Sequence, residues 1–578
     1  MSKDLDQLAI STIRLLSVDQ VDAAQSGHPG APLGLAPAAH AVWKRMRFNP
    51  KNTDWINRDR FILSNGHGCA LLYSLLFLYG YDLSIQDLKQ FRQLGSKTPG
   101  HPEAHDVPGV EVTTGPLGQG ISNAVGLAIA QKQFAATYNK PDFTLSDSFV
   151  YVFLGDGCLM EGISSEASSL AGHLQLNNLI AFWDDNRISI DGDTNVAFTE
   201  DVVARYKAYG WHTIEIAHGD TDLDAVSKAV DEAKAIPDKP TLIRLTTTIG
   251  FGSLQQGTHG VHGAALKSDD VRQLKEKFGF NPDEHFAVPN EVKDYFHEHV
   301  KENQKIETEW NKTLASYVEK YPKEGKELQR RLSGKLPDGW KDALPSYKPS
   351  DKAAATLLPE LIGGSADLTG SNLTKGADQA EFNLLQTVWV NSVVVTSDTV
   401  LENMFPAAYQ SAIESTSTPH VIALTRQGVP HLEGSSIENA SKGGYTLIKQ
   451  DKPDVIIVSS GSEVSISRDA IAHLEKAGIK AGLVSLPDFH TFDKQPQSYR
   501  LSVLPDGVPI LSVEVLSRFG WSKYSHEQFG LDHFGASGKA PDIYKWVEFT
   551  PEGVADRAAK TVQFYKGKPV LSPLNTAF

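Results

Sequence analysis

The sequence has little cysteine. Only Cys69 and Cys158 occur among 578 residues, too few for a disulfide scaffold or a thiolate metal site. The start, MSKDLDQLAI, lacks the apolar segment of a secretory signal. Long apolar runs are missing too, since the longest, residues 69–81, is too short to span a bilayer and predicts a buried helix. We therefore expect a cytoplasmic protein without a membrane partner.

Positive charge is also scarce. Lysine and arginine number 55 against 70 aspartates and glutamates, which gives a net charge of −15. Because binding to nucleic acid needs a basic face, nucleic acid is not an expected partner. The chain is 40% hydrophobic and 22% charged, the balance of a globular protein. Its length predicts several domains.

The most informative stretch runs from residue 148 to 190. SFVYVFLG predicts a buried strand, Gly155-Asp156-Gly157 a sharp turn, residues 161–174 a helix, and NLIAFWDD a second strand. A crossover of this kind makes the two strands parallel. Asp156 and Asn186 then each follow the carboxyl end of a strand, where open α/β sheets bind their ligands.

The residue types at these strand ends favour a cation and a phosphate. A carboxylate, an amide oxygen and a backbone carbonyl near Ile188 would form an oxygen-rich half-shell, which suits Mg²⁺. The glycines let backbone N–H groups approach a phosphate. An Asp-Gly pair alone is more often only a turn. The prediction of a Mg²⁺–diphosphate anchor therefore depends on GDG lying between two strands, with a strand-terminal asparagine after one helix.

Four histidines lie in loops that contain glycine or proline: His28, His67, His101 and His262. A single histidine of this kind is more often structural. Four of them beside a GDG unit favour a site, because imidazole can transfer protons and bind hydroxyls or phosphates near neutral pH.

The chain resembles the transketolase family, in its yeast-type form. The strings that carry the resemblance are SGHPGAPLG, SNGHG, GSKTPGHPE, TTGPLGQG, FLGDGCLMEG, WDDNRISIDG, THGVHGA, GGSADLT, TRQ, FTPEGVA and FYKGK. They cover residues 4 to about 320 and about 407 to 578. The resemblance implies an α/β fold with parallel-sheet domains of the thiamine diphosphate enzyme type.

The resemblance also implies a division of the chain. The expected segments are a diphosphate-binding domain at 1–320, a linker at 321–350, a pyrimidine-binding domain at 351–436 and a C-terminal α/β domain at 437–578. We expect most of the pyrimidine-binding domain to be missing or replaced, because residues 376–406 show no helix–strand rhythm. The family's REHAMG-like stretch, whose glutamate activates the cofactor, has no counterpart here.

Site residues follow from the resemblance position by position. The Mg²⁺ ligands would be Asp156, Asn186 and the carbonyl of Ile188. The residues that would contact thiamine diphosphate are His67, Gly115, Leu117, Gly157, Glu161, Asn186, His262 and Asp367. Glu161 would also help couple the two sites of a homodimer. The catalytic residues, facing the sugar hydroxyls, would be His28, His101 and His262. Ser371 and Arg426 would bind the substrate phosphate, for which an arginine fork is suited.

The implied reaction moves a two-carbon ketol unit from a ketose phosphate to an aldose phosphate, as in the pentose phosphate pathway. It uses thiamine diphosphate and Mg²⁺, with Ca²⁺ as an alternative cation, and the protein chiefly orients and protonates. The absent glutamate predicts weak turnover, because losing one proton-transfer residue costs ~10²–10⁴-fold in rate. Two alternatives stay open from the sequence: a non-catalytic transketolase-like protein that keeps a cofactor half-site, and a dihydroxyacetone synthase-like enzyme.

Overall fold

The computed structural model describes residues 2–340, 404–415, 420–422, 429–430, 432–533 and 540–575. These residues form two compact units, the first ending at Lys335 and the second following it. The predicted α/β fold class is confirmed in both, since each contains a sheet with parallel strands and helices between them. No helix within the described ranges is long and apolar enough to cross a membrane.

The first unit is built on a parallel sheet of five strands. Its strands and the small hairpin that follows the third of them are β1 (Arg60–Leu63), β2 (Val150–Gly155), β3 (Leu179–Asp185), the hairpin strands β4 (Ile188–Ser189) and β5 (Gly192–Asp193), β6 (His212–Ile216) and β7 (Thr241–Thr246). The spatial order in the sheet is β1-β2-β3-β7-β6. All four pairings in this sheet are parallel, as the crossover between β2 and β3 predicted.

Helices precede, connect and follow these strands. In chain order they are Ser2–Ala24, Gly30–Trp43, Cys69–Leu78, Ile85–Lys89, Gln119–Tyr138, Asp156–Met160, Gly162–His173, Val202–Ala208, Leu223–Ala235, Ser268–Lys277, Asn290–Lys320 and Pro322–Leu332. The buried helix predicted at 69–81 is confirmed, because Cys69–Leu78 lies almost wholly in the core. The helix predicted at 161–174 is confirmed as Gly162–His173, and a further short helix, Asp156–Met160, begins in the predicted turn, with the extended backbone of Glu161 between the two.

The core of this unit lies on both faces of the sheet. Tyr151 and Phe153 of β2 pack into one hydrophobic cluster, whereas Val152 and Leu154 pack into another. Successive side chains of a strand point to opposite faces, so a continuous apolar run requires cover on both sides. The central strands are therefore buried along their length, and only their ends are free to bind a ligand.

The second unit contains another five-stranded sheet. Its strands are β8 (Tyr445–Ile448), β9 (Val455–Ser459), β10 (Ala481–Ser485), β11 (Ile510–Val513) and β12 (Glu527–Phe529). The order is β12-β11-β9-β10-β8, with only β8 antiparallel to its neighbour. The helices described here are Met404–Glu414, Ile437–Ala440, Glu463–Lys476, Phe489–Asp493, Gln497–Val503, Ala540–Trp546 and Pro551–Tyr565.

Three predicted site residues, Asp367, Ser371 and Arg426, lie outside the described residues. So does most of the segment 376–406, on which the expected loss of the pyrimidine-binding domain was based. The bounds of the four segments, 1–320, 321–350, 351–436 and 437–578, remain predictions.

Candidate functional site

The ends of β2 and β3 bring the predicted cation ligands together. Gly155, the last residue of β2, lies opposite Asp184 in the ladder with β3. Asp156 follows directly and begins a short helix, and Asn186 follows the last residue of β3. Because the strands are parallel neighbours, both polar side chains leave the sheet at the same edge.

The Asp156 carboxylate is held at this edge by two hydrogen bonds. Its Oδ1 accepts from the indole Nε1 of Trp183 at 2.8 Å, and its Oδ2 accepts from the backbone N of Arg187 at 3.1 Å. That backbone N–H lies between Asn186 and Ile188 in the chain. The carboxylate therefore lies against the turn that carries the other two predicted ligands, and each of its oxygens keeps lone pairs for a cation.

The amide of Asn186 is oriented by its neighbours. Its Nδ2 donates to Oδ2 of Asp184 at 2.8 Å, and its Oδ1 accepts from the backbone N of Ile188 at 3.0 Å. The hydroxyl of Thr247 donates to the other oxygen of Asp184. Asp184 thus fixes which end of the amide is the acceptor. Asp184 and Trp183 are not among the residues predicted from the sequence, although both lie in the string WDDN at the end of β3.

Among the described residues, the carboxylates of Asp156 and Asp184 lie at this edge without a lysine or arginine partner. Burial is the largest cause that raises the pKa of Asp156 to about 7, and the carboxylates of Asp184 and Asp185 contribute to the rise. Burial also raises the pKa of Asp184 to about 6. Within the part of the chain that the structure describes, the ion pairs of lysine and arginine at this edge go to Asp185, not to Asp156 or Asp184. Burying an unpaired charge is costly, so a divalent cation would fit this donor set and would offset that cost.

The glycine loop at 115–118 packs against the GDG turn. A Cβ placed on Gly157 would lie 3.0 Å from Cδ1 of Leu117, and one placed on Gly118 would lie 2.9 Å from Cβ of Glu161. Gly118 also has a φ of +80°, a left-handed conformation that favours glycine. Three of the predicted cofactor contacts, Leu117, Gly157 and Glu161, are therefore neighbours. The helix Gln119–Tyr138 begins at this loop, and helix N-termini favour phosphate groups.

Three of the four predicted histidines form one cluster. The ring centroids of His28 and His67 are 4.8 Å apart, those of His67 and His262 are 5.3 Å apart, and those of His28 and His262 are 5.6 Å apart. His101 lies beside Gly115, where an added Cβ would be 3.5 Å from the Cγ of the ring. Three of the imidazoles thus form one cluster, and the fourth lies beside the glycine loop.

These imidazoles are neutral near pH 7. Burial, with a contribution from the neighbouring imidazoles and Arg92, lowers the pKa of His28 to about 4 and that of His67 to about 3. Burial also lowers the pKa of His101 and of His262. A neutral imidazole has one donor and one acceptor nitrogen. Each ring can therefore donate a hydrogen bond to a hydroxyl or accept one from it, and each can transfer a proton.

The histidine cluster lies next to the hairpin that carries Ile188. A Cβ on Gly263 would lie 3.2 Å from Nε2 of His28 and 2.7 Å from Cδ1 of Ile190. The chain at Gly263 therefore contacts both groups. The turn that carries the predicted oxygen ligands and the predicted proton-transferring imidazoles are therefore joined through Gly263.

Two family models match this chain. Residues 5–337 match the transketolase thiamine diphosphate binding domain, and residues 443–550 match the transketolase-like C-terminal domain. The chain belongs to the transketolase family. The prediction of thiamine diphosphate as the cofactor is confirmed at the level of this family, and so is the prediction of an enzyme.

Individual transketolases are similar along the whole chain. The transketolase of Scheffersomyces stipitis is 61% identical over 99% of this chain and 100% of its own length. Transketolase 1 of Saccharomyces cerevisiae is 53% identical over 100% of this chain and 99% of its own. A crystal structure of a transketolase from Pichia stipitis in complex with sedoheptulose 7-phosphate has a TM-score of 0.96, at 60% identity, and covers 99% of this chain and 100% of that one.

These comparisons bear on the expected loss of the pyrimidine-binding domain and on the two alternative functions. The loss or replacement of the pyrimidine-binding domain is not borne out, because the matches reach across 100% of the Scheffersomyces stipitis protein. That alignment is 674 positions long, more than the 578 residues of this chain, so it includes gaps inside the chain. The alternatives of a non-catalytic protein and of a dihydroxyacetone synthase-like enzyme are not favoured, because the similar proteins are named transketolases.

Proposed function

We propose that this chain transfers a two-carbon ketol unit from a ketose phosphate to an aldose phosphate, with thiamine diphosphate and Mg²⁺, in the pentose phosphate pathway. The observation that carries the proposal is the meeting of Asp156, Asn186 and the Ile188 turn at one sheet edge, beside a cluster of neutral imidazoles. This arrangement combines a cation site with proton-transfer groups, as ketol transfer requires. The similar Pichia stipitis structure was solved with a sugar phosphate, sedoheptulose 7-phosphate.

The cofactor would be held by the sheet edge and the glycine loop. Asp156, Asn186 and the carbonyl of Ile188 would bind Mg²⁺, which prefers oxygen ligands and completes its shell with water and phosphate. The other proposed cofactor contacts are His67, Gly115, Leu117, Gly157, Glu161, His262 and Asp367. When bound, thiamine diphosphate supplies an electron sink for the cleavage of a carbon–carbon bond.

The imidazoles would do the protein's part of the chemistry. His28, His101 and His262 would bind the sugar hydroxyls, and their neutral rings can accept a proton at one nitrogen while donating from the other. Ser371 and Arg426 would bind the substrate phosphate. The four rings are half-buried, so a substrate that covers them would exclude water, and that would strengthen each hydrogen bond to it.

A homodimer is proposed as the working form. The first unit exposes apolar side chains from neighbouring helices, with Met160 at 38% and Ile163 and Leu170 at 46% exposure. A cleft of about 700 Å³ next to them is lined by Val112, Pro116, Leu117, Gln119, Ser122, Asn123, Gly126, Leu127 and Ile163. A second copy of the chain would cover this surface and would lie beside Glu161, the residue proposed to couple the two sites.

Sedimentation equilibrium tests the dimer. The wild-type chain is expected to sediment at twice its monomer mass, and Ile163→Asp is expected to shift it toward the monomer, because a buried unpaired charge opposes association. Leu332→Asp, at a residue of similar exposure on the helix Pro322–Leu332, is the matched control and should leave the mass unchanged. A wild-type monomer, or a dimer indifferent to Ile163→Asp, would contradict the proposal.

A coupled assay with a ketose phosphate and an aldose phosphate tests the reaction. Turnover is expected only with thiamine diphosphate and a divalent cation, and at a rate ~10²–10⁴-fold below that of the Scheffersomyces stipitis transketolase, because the activating glutamate of the REHAMG-like stretch is absent. Reactions without thiamine diphosphate, or with a chelator of divalent cations, give the background rate. A rate of the complete reaction no higher than this background would overturn the proposed function, whereas a rate equal to that of the Scheffersomyces stipitis enzyme would overturn the role given to the missing glutamate.

A further inference from the structure

Arg92 contacts one ring of the histidine cluster, that of His28. It follows the helix Ile85–Lys89 and has a φ of +60°, an uncommon conformation for a residue other than glycine. Its backbone N donates to the carbonyl of Thr98 at 2.9 Å, which holds the turn. No ion pair of Arg92 with an acidic side chain occurs among the described residues, whereas Arg47, Arg58 and Arg60 of the same unit each have one.

The guanidinium instead bridges two loops and touches a catalytic imidazole. Its Nη1 donates to Oγ of Ser26 at 2.9 Å, and its Nη2 lies 3.4 Å from both the carbonyl of Gly100 and the Nδ1 of His28. A Cβ on Gly100 would lie 2.8 Å from Arg92 Nε. Glycine at that position therefore leaves the room that the guanidinium occupies.

The contact with His28 determines the tautomer of that ring. A guanidinium can only donate hydrogen bonds, so Nδ1 of His28 must be the acceptor and its proton must reside on Nε2. Nε2 is the nitrogen that faces Gly263, since a Cβ there would be 3.2 Å away. The N–H of the ring is thus directed to the side of the cluster where the chain adjoins the Ile188 hairpin.

We propose that Arg92 is a positioning residue for ketol transfer, which fixes His28 in the neutral Nε2–H tautomer so that this N–H is offered to a substrate hydroxyl. The inference rests on the proposed function, because it takes His28 as a residue that meets the sugar. A purely structural role, in which Arg92 only joins the loops at Ser26 and Gly100, is the competing explanation. The two explanations differ in what happens to the His28 ring when the guanidinium is removed.

The surroundings of His28 support this assignment. Within the described part of the chain, the groups that lower its pKa are Arg92, His101 and His262, and the ring of His67 lies 4.8 Å away; none of these is acidic. A fixed positive charge at Nδ1 disfavours protonation of the ring, in the same direction as burial. The pKa of His28 is accordingly lowered to about 4, with burial as the largest cause. Removal of Arg92 should relieve part of this shift and leave the part due to burial.

Exchange of the imidazole C2 hydrogen, followed residue by residue with mass spectrometry over a pH series, tests the proposal without turnover. In Arg92→Met, the midpoint of His28 is expected to move up by ~1 pH unit, because one nearby like charge has been removed. Arg92→Lys keeps the positive charge, so the midpoint of His28 should move by less in this variant. His105, an exposed histidine, reports any global change, and Arg272→Met is the control for loss of an exposed arginine.

The outcomes separate this inference from the proposed function. A raised His28 midpoint in Arg92→Met, with a loss in kcat/KM and an unchanged affinity for thiamine diphosphate, would support both. A raised midpoint in a chain that has no turnover would support the contact and overturn the function. An unchanged midpoint in the folded Arg92→Met protein would overturn the inference, and Arg92→Gln, which also removes the positive charge, supplies the same decision if the methionine variant does not fold.

Discussion

Replacing Asp156 with asparagine is expected to weaken the binding of thiamine diphosphate in the presence of Mg²⁺ by more than ~100-fold, because losing even an outer-shell partner of a metal ligand costs ~10–100-fold. Asp156 is the only carboxylate among the three proposed ligands. Its oxygens are already aimed by Trp183 and by the backbone of Arg187. Asparagine keeps the shape and one acceptor oxygen but removes the charge that a divalent cation needs.

Isothermal titration calorimetry, with and without Mg²⁺, measures this effect. The variant and the wild type should bind the cofactor equally weakly without the cation, since only the cation-dependent part of the affinity depends on Asp156. Asp238→Asn, at an exposed aspartate of the same unit, removes the same charge elsewhere and should bind as the wild type does. Circular dichroism confirms that each protein is folded. An Asp156→Asn protein with undiminished Mg²⁺-dependent affinity would show that the cation is held by other residues.

Replacing Lys275 with methionine is expected to lower the free energy of unfolding of the first unit by ~3–5 kcal/mol, as when one partner of a buried ion pair is removed. Lys275 and Asp19 are 1% and 2% exposed, and their Nζ and Oδ1 atoms are 2.9 Å apart. The Nζ also donates to the carbonyl of Glu284 at 2.7 Å. Without the ammonium group, the buried Asp19 carboxylate would keep the backbone N–H of Phe286 and the half-exposed ring of His285 beside it but would lose its buried counter-charge, and that loss is what destabilises the fold.

Urea unfolding of single and double variants separates the pair from its packing. Asp19→Leu combined with Lys275→Met should recover part of the loss, because replacing a buried pair with apolar groups removes the uncompensated charge. Arg272→Met breaks the exposed pair with Asp283, and it should change the midpoint far less, because solvent screens such pairs. Equal losses from Lys275→Met and Arg272→Met would contradict the account of a buried pair.

The meeting of Asp156 and Asn186 at one sheet edge could be predicted from sequence because its signals are local. Apolar runs that end at glycine or at polar residues define β2 and β3, and one crossover between them sets their direction. Asp156 and Asn186 therefore had to leave the sheet at the same edge. Loop histidines carry no such geometric signal, so only the fold could show that His28, His67 and His262 form one cluster.

Other parts of the site depend on contacts that no local pattern encodes. Arg92 meets His28 across 64 positions of sequence, and Thr247 meets Asp184 across 63. The helix Gly30–Trp43 also departs from simple rules, since it contains Pro37 and is buried along its whole length. Prolines usually end or kink a helix, but tertiary packing stabilises this one. Sequence propensity alone therefore underestimates the helical content near His28.

The central claim is that the ends of β2 and β3 hold a cation that anchors a diphosphate. The most direct test is a crystal structure of the wild-type chain with thiamine diphosphate and Mn²⁺ in place of Mg²⁺, in which anomalous scattering locates the metal. We expect the peak to be coordinated by the side chains of Asp156 and Asn186 and by the carbonyl of Ile188, in contact with the diphosphate. A cofactor ordered in the protein with its metal bound to other residues, and with Asp156 facing away from it, would contradict the claim.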